Sequence, residues 1–134
     1  MNADVLTASV MIAAPPAAIF PYLTQAELLV EWLGDWADVD PTPGGTFAVD
    51  MNRVAVRGEY VEVQPPHRVV FTWGVPGRDG LEPGSTTVEV ILTEAAGGTR
   101  VELFHHGLPS GEVTSHRQGW VAKLESLRSI VMSV

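Results

Sequence analysis

The chain contains no cysteine among its 134 residues, which excludes a disulfide framework, a thiolate metal site and every cysteine nucleophile. It also lacks any stretch near the roughly 18 uninterrupted apolar residues that a membrane helix needs. The opening MNADVLTASVMIAAPP carries an acid at Asp4, no basic flank and only a short apolar run, so it does not read as a signal peptide. The expectation is a soluble cytoplasmic protein with no membrane insertion. Bases are scarce: sixteen acids face eight bases, a net charge of −8, which repels phosphate backbones and argues against nucleic acid as a partner. The scarcity is uneven, because Asp4, Glu27, Glu31, Asp35, Asp38, Asp40 and Asp50 all precede the first base, Arg53. One end of the fold is therefore expected to be negative, either as a solvating surface or as a docking face for a basic partner or a cation. Two motifs are missing as well. There is no G-x-S-x-G elbow, and the glycine pairs at 44–45 and 97–98 open no helix of a βαβ unit, so a serine-hydrolase or dinucleotide signature is absent. Nothing demands a cofactor.

What is present reads as a single domain over residues 1–134, long enough to bury a core without staples. TASVMIAA is apolar enough for a first strand, and Ala-Pro-Pro at 14–16 ends it, since proline removes ladder donors and suits a helix's first turn. Helical spacing follows from Pro16 to about Leu23, and again from Gln25 to Leu33 with Gly34 as a stop, giving two short helices in series. After the turn at Pro41, Pro43, Gly44 and Gly45 come five strand-like runs: Thr46–Asn52, Val54–Val63, Arg68–Val75, Ser85–Thr93 and Thr99–His106. The segment GVPGRDGLEPG between the third and fourth is long and polar enough for a mobile flap at a mouth. Ala-Ala-Gly-Gly at 95–98 reads as a hairpin turn, and Ser110 as a helix cap. Val113, His116, Trp120, Leu124, Leu127, Val131 and Val134 recur at steps of three or four, one stripe of a long C-terminal helix. That stripe needs an apolar surface, and the sheet is the large candidate. The fold class is α+β, with a six-stranded antiparallel meander closing on the last helix.

Side chains alternate across a strand. Val88, Val90 and Leu92 then face the helix, as do Val101, Leu103 and His105, and Val69, Phe71 and Trp73; Phe47 and Tyr60 are further inward candidates. A single sheet wrapped about one helix has more concave surface than the helix fills, so a cavity is expected, lined or floored by Trp32, Phe47, Phe71, Trp73 and Trp120. The alternative is that these aromatics pack on each other as ordinary core.

The order of elements, with TPGGTF at 42–47, RGEYVEVQPPHRVVFTW at 57–73, STTVEVILTEAAGGTRVELFHHGLP at 85–109 and GWVAKLESL at 119–127, resembles the SRPBCC or START-like helix-grip superfamily. Within it the chain is similar to the branch of the C-terminal domain of the activator of heat-shock chaperone ATPase. The resemblance implies a curved six-stranded antiparallel sheet gripping the last helix, two short helices closing one end, and a hydrophobic tunnel between. It implies binding of lipids, polyketides, hormones or other apolar small molecules, with cyclases and hydrolases as a minority; chemistry does not follow from membership. The eukaryotic activators add an N-terminal domain, so chaperone activation is not expected to carry over to a single-domain chain.

His105 and His106 adjoin on a strand and point to opposite faces, which argues against a shared metal, and no metal site is expected. His105 and His116 form the better pair, one ending an inward strand row and the other on the helical stripe one turn before Trp120. An imidazole there anchors a ligand carbonyl or acts as a general acid or base; the alternative is a histidine closing the sheet end. Glu59, Glu62, Glu89 and Glu102 alternate with apolar residues and are read as solvent-facing, with Gly58 as a bulge able to turn Glu59 toward Arg57. The ligand-facing set is thus Trp32, Phe47, Tyr60, Phe71, Trp73, Leu103, His105, His116, Trp120 and Leu124. Three functions fit: binding an apolar or aromatic small molecule, a cyclase or hydrolase using a histidine, and a chaperone-interacting module. A monomer or homodimer is compatible with each.

Overall fold

Alternating and helical patterns resolve into the elements they imply, with one strand added. The computed structural model describes residues 5–133, so Asp4 of the acidic stretch and Val134 of the helical stripe lie outside the described residues. The elements run β1 (Leu6–Ile12), α1 (Pro16–Ile19), a 3-10 turn (Phe20–Leu23), α2 (Ala26–Trp32), β2 (Trp36–Val39), β3 (Thr46–Met51), β4 (Val54–Gln64), β5 (Arg68–Trp73), β6 (Thr86–Ala95), β7 (Gly98–His106), a second 3-10 turn (Ser110–Glu112) and α3 (Val113–Met132). Pro16 opens α1 at a position where its missing N–H costs nothing.

The sheet has seven antiparallel strands in the order β1-β7-β6-β5-β4-β3-β2, not six. The extra strand is β2, whose four residues pair Trp36 with Asp50 and Val39 with Phe47 at the far edge of β3. Its alternation is weak and acidic, and what makes it a strand is the β3 ladder beside it. Ser110 is a second correction: it begins the 3-10 turn, and neither that turn nor α3 has a side-chain cap bond. The 74–84 segment is anchored, not free. Val75 N–H donates to the Leu81 carbonyl at 2.6 Å, and Leu81 is fully buried.

Strand parity sends the expected residues inward. Val88, Val90, Leu92, Val101, Leu103, His105, Val69, Phe71 and Trp73 are all buried, and so are Trp120, Leu124, Leu127 and Val131 of α3. On the other face Arg68 lies between Glu62 and Glu89, pairing with both. Glu59 is exposed, and Arg57 pairs with Asp50 at 2.8 Å instead of with it. The register slips between Tyr60 and Glu62. Gly58 serves a different purpose from a bulge: a Cβ there would sit 2.0 Å from the Thr72 carbonyl oxygen, so glycine permits β4 and β5 to approach.

Candidate functional site

Between α3 and the β3–β4 end of the sheet lies a cleft of about 440 Å³. Several parts of the chain build it. Strand β4 contributes Val54 and Val56, and β5 ends in it with Trp73; α3 lays His116, Gly119, Trp120 and Lys123 along it at steps of three and four; the 74–84 segment adds Val75 and Arg78. The hairpin tip joining β3 to β4 forms part of the rim through Met51 and Asn52. That tip is a two-residue turn in which Asn52 and Arg53 both hold positive φ, 50° and 70°, a conformation that a side chain bearing a Cβ adopts at a cost.

The two indoles form the wall. Trp73 and Trp120 have ring centroids 4.9 Å apart at a tilt of 51°. Behind them a directed chain of hydrogen bonds ties helix to sheet. An indole N–H only donates, so His105 Nδ1 must accept from Trp120 Nε1 at 3.0 Å. The proton of His105 then sits on Nε2, which donates to Thr86 Oγ1 at 2.9 Å, and the Thr86 hydroxyl donates to the Trp73 carbonyl at 2.6 Å. His105 is fully buried, and burial first, then the nearby His116 and His106, push its pKa down to about 3. It is a neutral connector.

His116 is placed differently. Its side chain keeps 14% of its surface exposed, Nδ1 donates to the Glu112 backbone carbonyl at 2.9 Å, and Nε2 has no partner among the described residues. The rings of His105 and His116 lie edge to face at 5.4 Å, as the pairing of strand row and helical stripe suggests. One polar atom stands apart. Trp73 Nε1 is buried and has no hydrogen-bond partner among the described residues, and an indole donor left so is costly by about 1–3 kcal/mol.

Of the ten residues singled out from sequence, Trp73, His116 and Trp120 line the cleft. The others sit in the core beside it. Phe47 and Phe71 stack at 3.9 Å, with Tyr60 edge-on to Phe47 at 5.5 Å. The Tyr60 hydroxyl donates to the Leu23 carbonyl at 2.9 Å, and burial, with Asp40 adding, raises that phenol above its ordinary range. Trp32 Nε1 donates to the Tyr22 carbonyl at 2.9 Å. Leu103, His105 and Leu124 are buried in the same core. Sequence reasoning missed Arg78, Gly119 and Lys123. For Gly119 a signal existed: a glycine inside a helical pattern costs about 1 kcal/mol against alanine and calls for a reason. Here a Cβ would meet nothing within 4 Å, so the glycine relieves no clash, and its missing side chain widens the cleft.

Comparison with known proteins places this architecture. A family model described as Activator of Hsp90 ATPase homolog 1-like protein matches residues 13–132. An AHSA1-like protein from Rhizobium etli is 37% identical, over 96% of this chain and 81% of its own, with a TM-score of 0.73. A protein from Mesorhizobium loti is similar at 21% identity over 98% of both chains, with a TM-score of 0.88. An HSP90 activator from Plasmodium falciparum is similar at 22% identity over 96% of both, with a TM-score of 0.79. No curated protein matches.

Proposed function

The chain belongs to the Activator of Hsp90 ATPase homolog 1-like family, and from that premise we propose that it binds an apolar or aromatic small molecule, lipid- or polyketide-like, in the cleft between sheet and C-terminal helix. The observation that carries this reading is the pair of indoles, Trp73 and Trp120 at 4.9 Å, in the wall of a cleft whose lining continues through Val54, Val56 and Val75. A guest with an apolar or aromatic body would cover the indoles. Gly119 supports it, since a position that tolerates a side chain sterically has been left without one.

The test is titration of apolar and aromatic compounds against tryptophan fluorescence, comparing the unaltered chain with Gly119→Leu, which fills the cleft from the helix side. Saturable binding that is lost in Gly119→Leu is expected. Binding that is indifferent to that change overturns the reading, as does the absence of any saturable ligand.

A second reading, a cyclase or hydrolase in the same cleft, rests on His116. With Nδ1 donating to a carbonyl at 2.9 Å, its Nε2 has no partner among the described residues, the arrangement that general-base histidines use. Turnover abolished in His116→Gln with ligand affinity retained would favour it. Docking on a chaperone, suggested by the Plasmodium falciparum relative's description as an HSP90 activator, instead requires co-purification with a chaperone that weakens as salt rises.

A further inference from the structure

We infer that the molecule held in this cleft is an amphipathic anion: an apolar body against Trp73 and Trp120, and a carboxylate-like group facing Lys123. The inference rests on the cleft reading above and adds the ligand's charge. The whole chain has eight bases against sixteen acids, yet two of those bases, Arg78 and Lys123, line this one cleft. Its single acid, Glu112, is already engaged, lying 3.7 Å from Arg78 Nη1 and 3.5 Å from His116 Nδ1. Lys123 has no ion pair among the described residues. The other bases in that position, Arg53, Arg100 and Arg117, are exposed, whereas Lys123 is half-buried. An anion seated in the cleft would give this ammonium a charge-assisted partner that the chain itself does not supply.

Its placement also separates charge from apolar surface. Lys123 follows Trp120 by three residues on α3, so the helix presents the indole and then the ammonium to the cleft in sequence. An alternative role for Lys123 is purely to cover apolar surface with its methylene stem, and a methionine at this position would fill that role equally well.

Isothermal titration calorimetry separates the two with matched probes that differ only in charge: decanoate against decanamide, and naphthoate against naphthamide. The acid of at least one pair should bind about tenfold tighter than its amide, the scale of one well-placed opposite charge. Lys123→Met should reduce that acid-to-amide preference, read as a ratio within each protein, below about threefold, and Lys123→Arg should retain it. If an amide binds as tightly as its acid, or if Lys123→Met keeps the full preference, the inference is overturned while the cleft reading stands. If neither member of either pair binds, both fall.

Discussion

At His105 a side chain often associated with proton transfer is used as a fixed connector. Both ring nitrogens are committed, one accepting from Trp120 and one donating to Thr86, and a protonated ring would have to give up the first bond. The sign of the pH dependence follows. Burial lowers the folded-state pKa to about 3 from 6.5, so the unfolded chain takes up the proton first as pH falls. The contribution to stability is complete above pH 6.5 and declines as pH drops toward the folded value, by about 1.4 kcal/mol per pH unit within that window. Urea denaturation between about pH 6.5 and 5, above the carboxylate range, should show the unaltered chain losing roughly 1–2 kcal/mol more than His105→Gln. Equal slopes would contradict the assignment.

Among the elements, α3 is the one whose sequence most directly states its role. Trp120, Leu124, Leu127 and Val131 form the buried stripe, and Leu127, fully buried, should cost about 2–5 kcal/mol when cut to alanine. Gly119→Ala should act in the opposite direction, raising stability by about 1 kcal/mol in chemical denaturation, because the helix gains propensity and the new methyl meets open space. The β3–β4 tip offers a comparable gain: Arg53 at a φ of 70° is a site where glycine relieves about 1 kcal/mol of backbone strain, less the entropy it adds to the unfolded chain. Parity made the inward rows of β6 and β7 legible, since a strand with one buried face repeats every second residue. Strand β2 was not legible, because four residues of mixed pattern acquire their conformation from the β3 ladder and not from their own order.

For the whole molecule, the sheet wrapped on a helix was readable from motif order, and the aromatic content of its interior from composition and parity together. Which aromatics fill the core and which face the cleft was not. That division is decided by contacts between residues far apart in the chain: Phe47 on Phe71, Tyr60 bonded to Leu23, Trp32 to Tyr22. The cations of the rim were equally hidden, because Arg78 arrives from an irregular segment whose path is set by the burial of Leu81. The net charge of −8 also belongs to this scale. Self-repulsion opposes the compact state, so raising salt from low to physiological ionic strength should raise the melting temperature, with each 1 kcal/mol of relieved repulsion worth roughly 4 °C for a chain of this size. A melting temperature indifferent to salt would mean that the charges are spread widely enough not to interact.

The tilted contact of Trp73 and Trp120, 4.9 Å between ring centroids at 51°, has an optical consequence. Two indoles so close and so inclined share their electronic excitations, and the coupled pair absorbs left- and right-circularly polarised light unequally, giving a pair of bands of opposite sign in the far ultraviolet. Replacing either ring with phenylalanine would collapse that doublet even where the backbone spectrum stays intact. The protein thus contains its own unlabelled chromophore pair in the wall of the cleft, and the amplitude of one spectral feature reports whether helix and sheet are seated against each other.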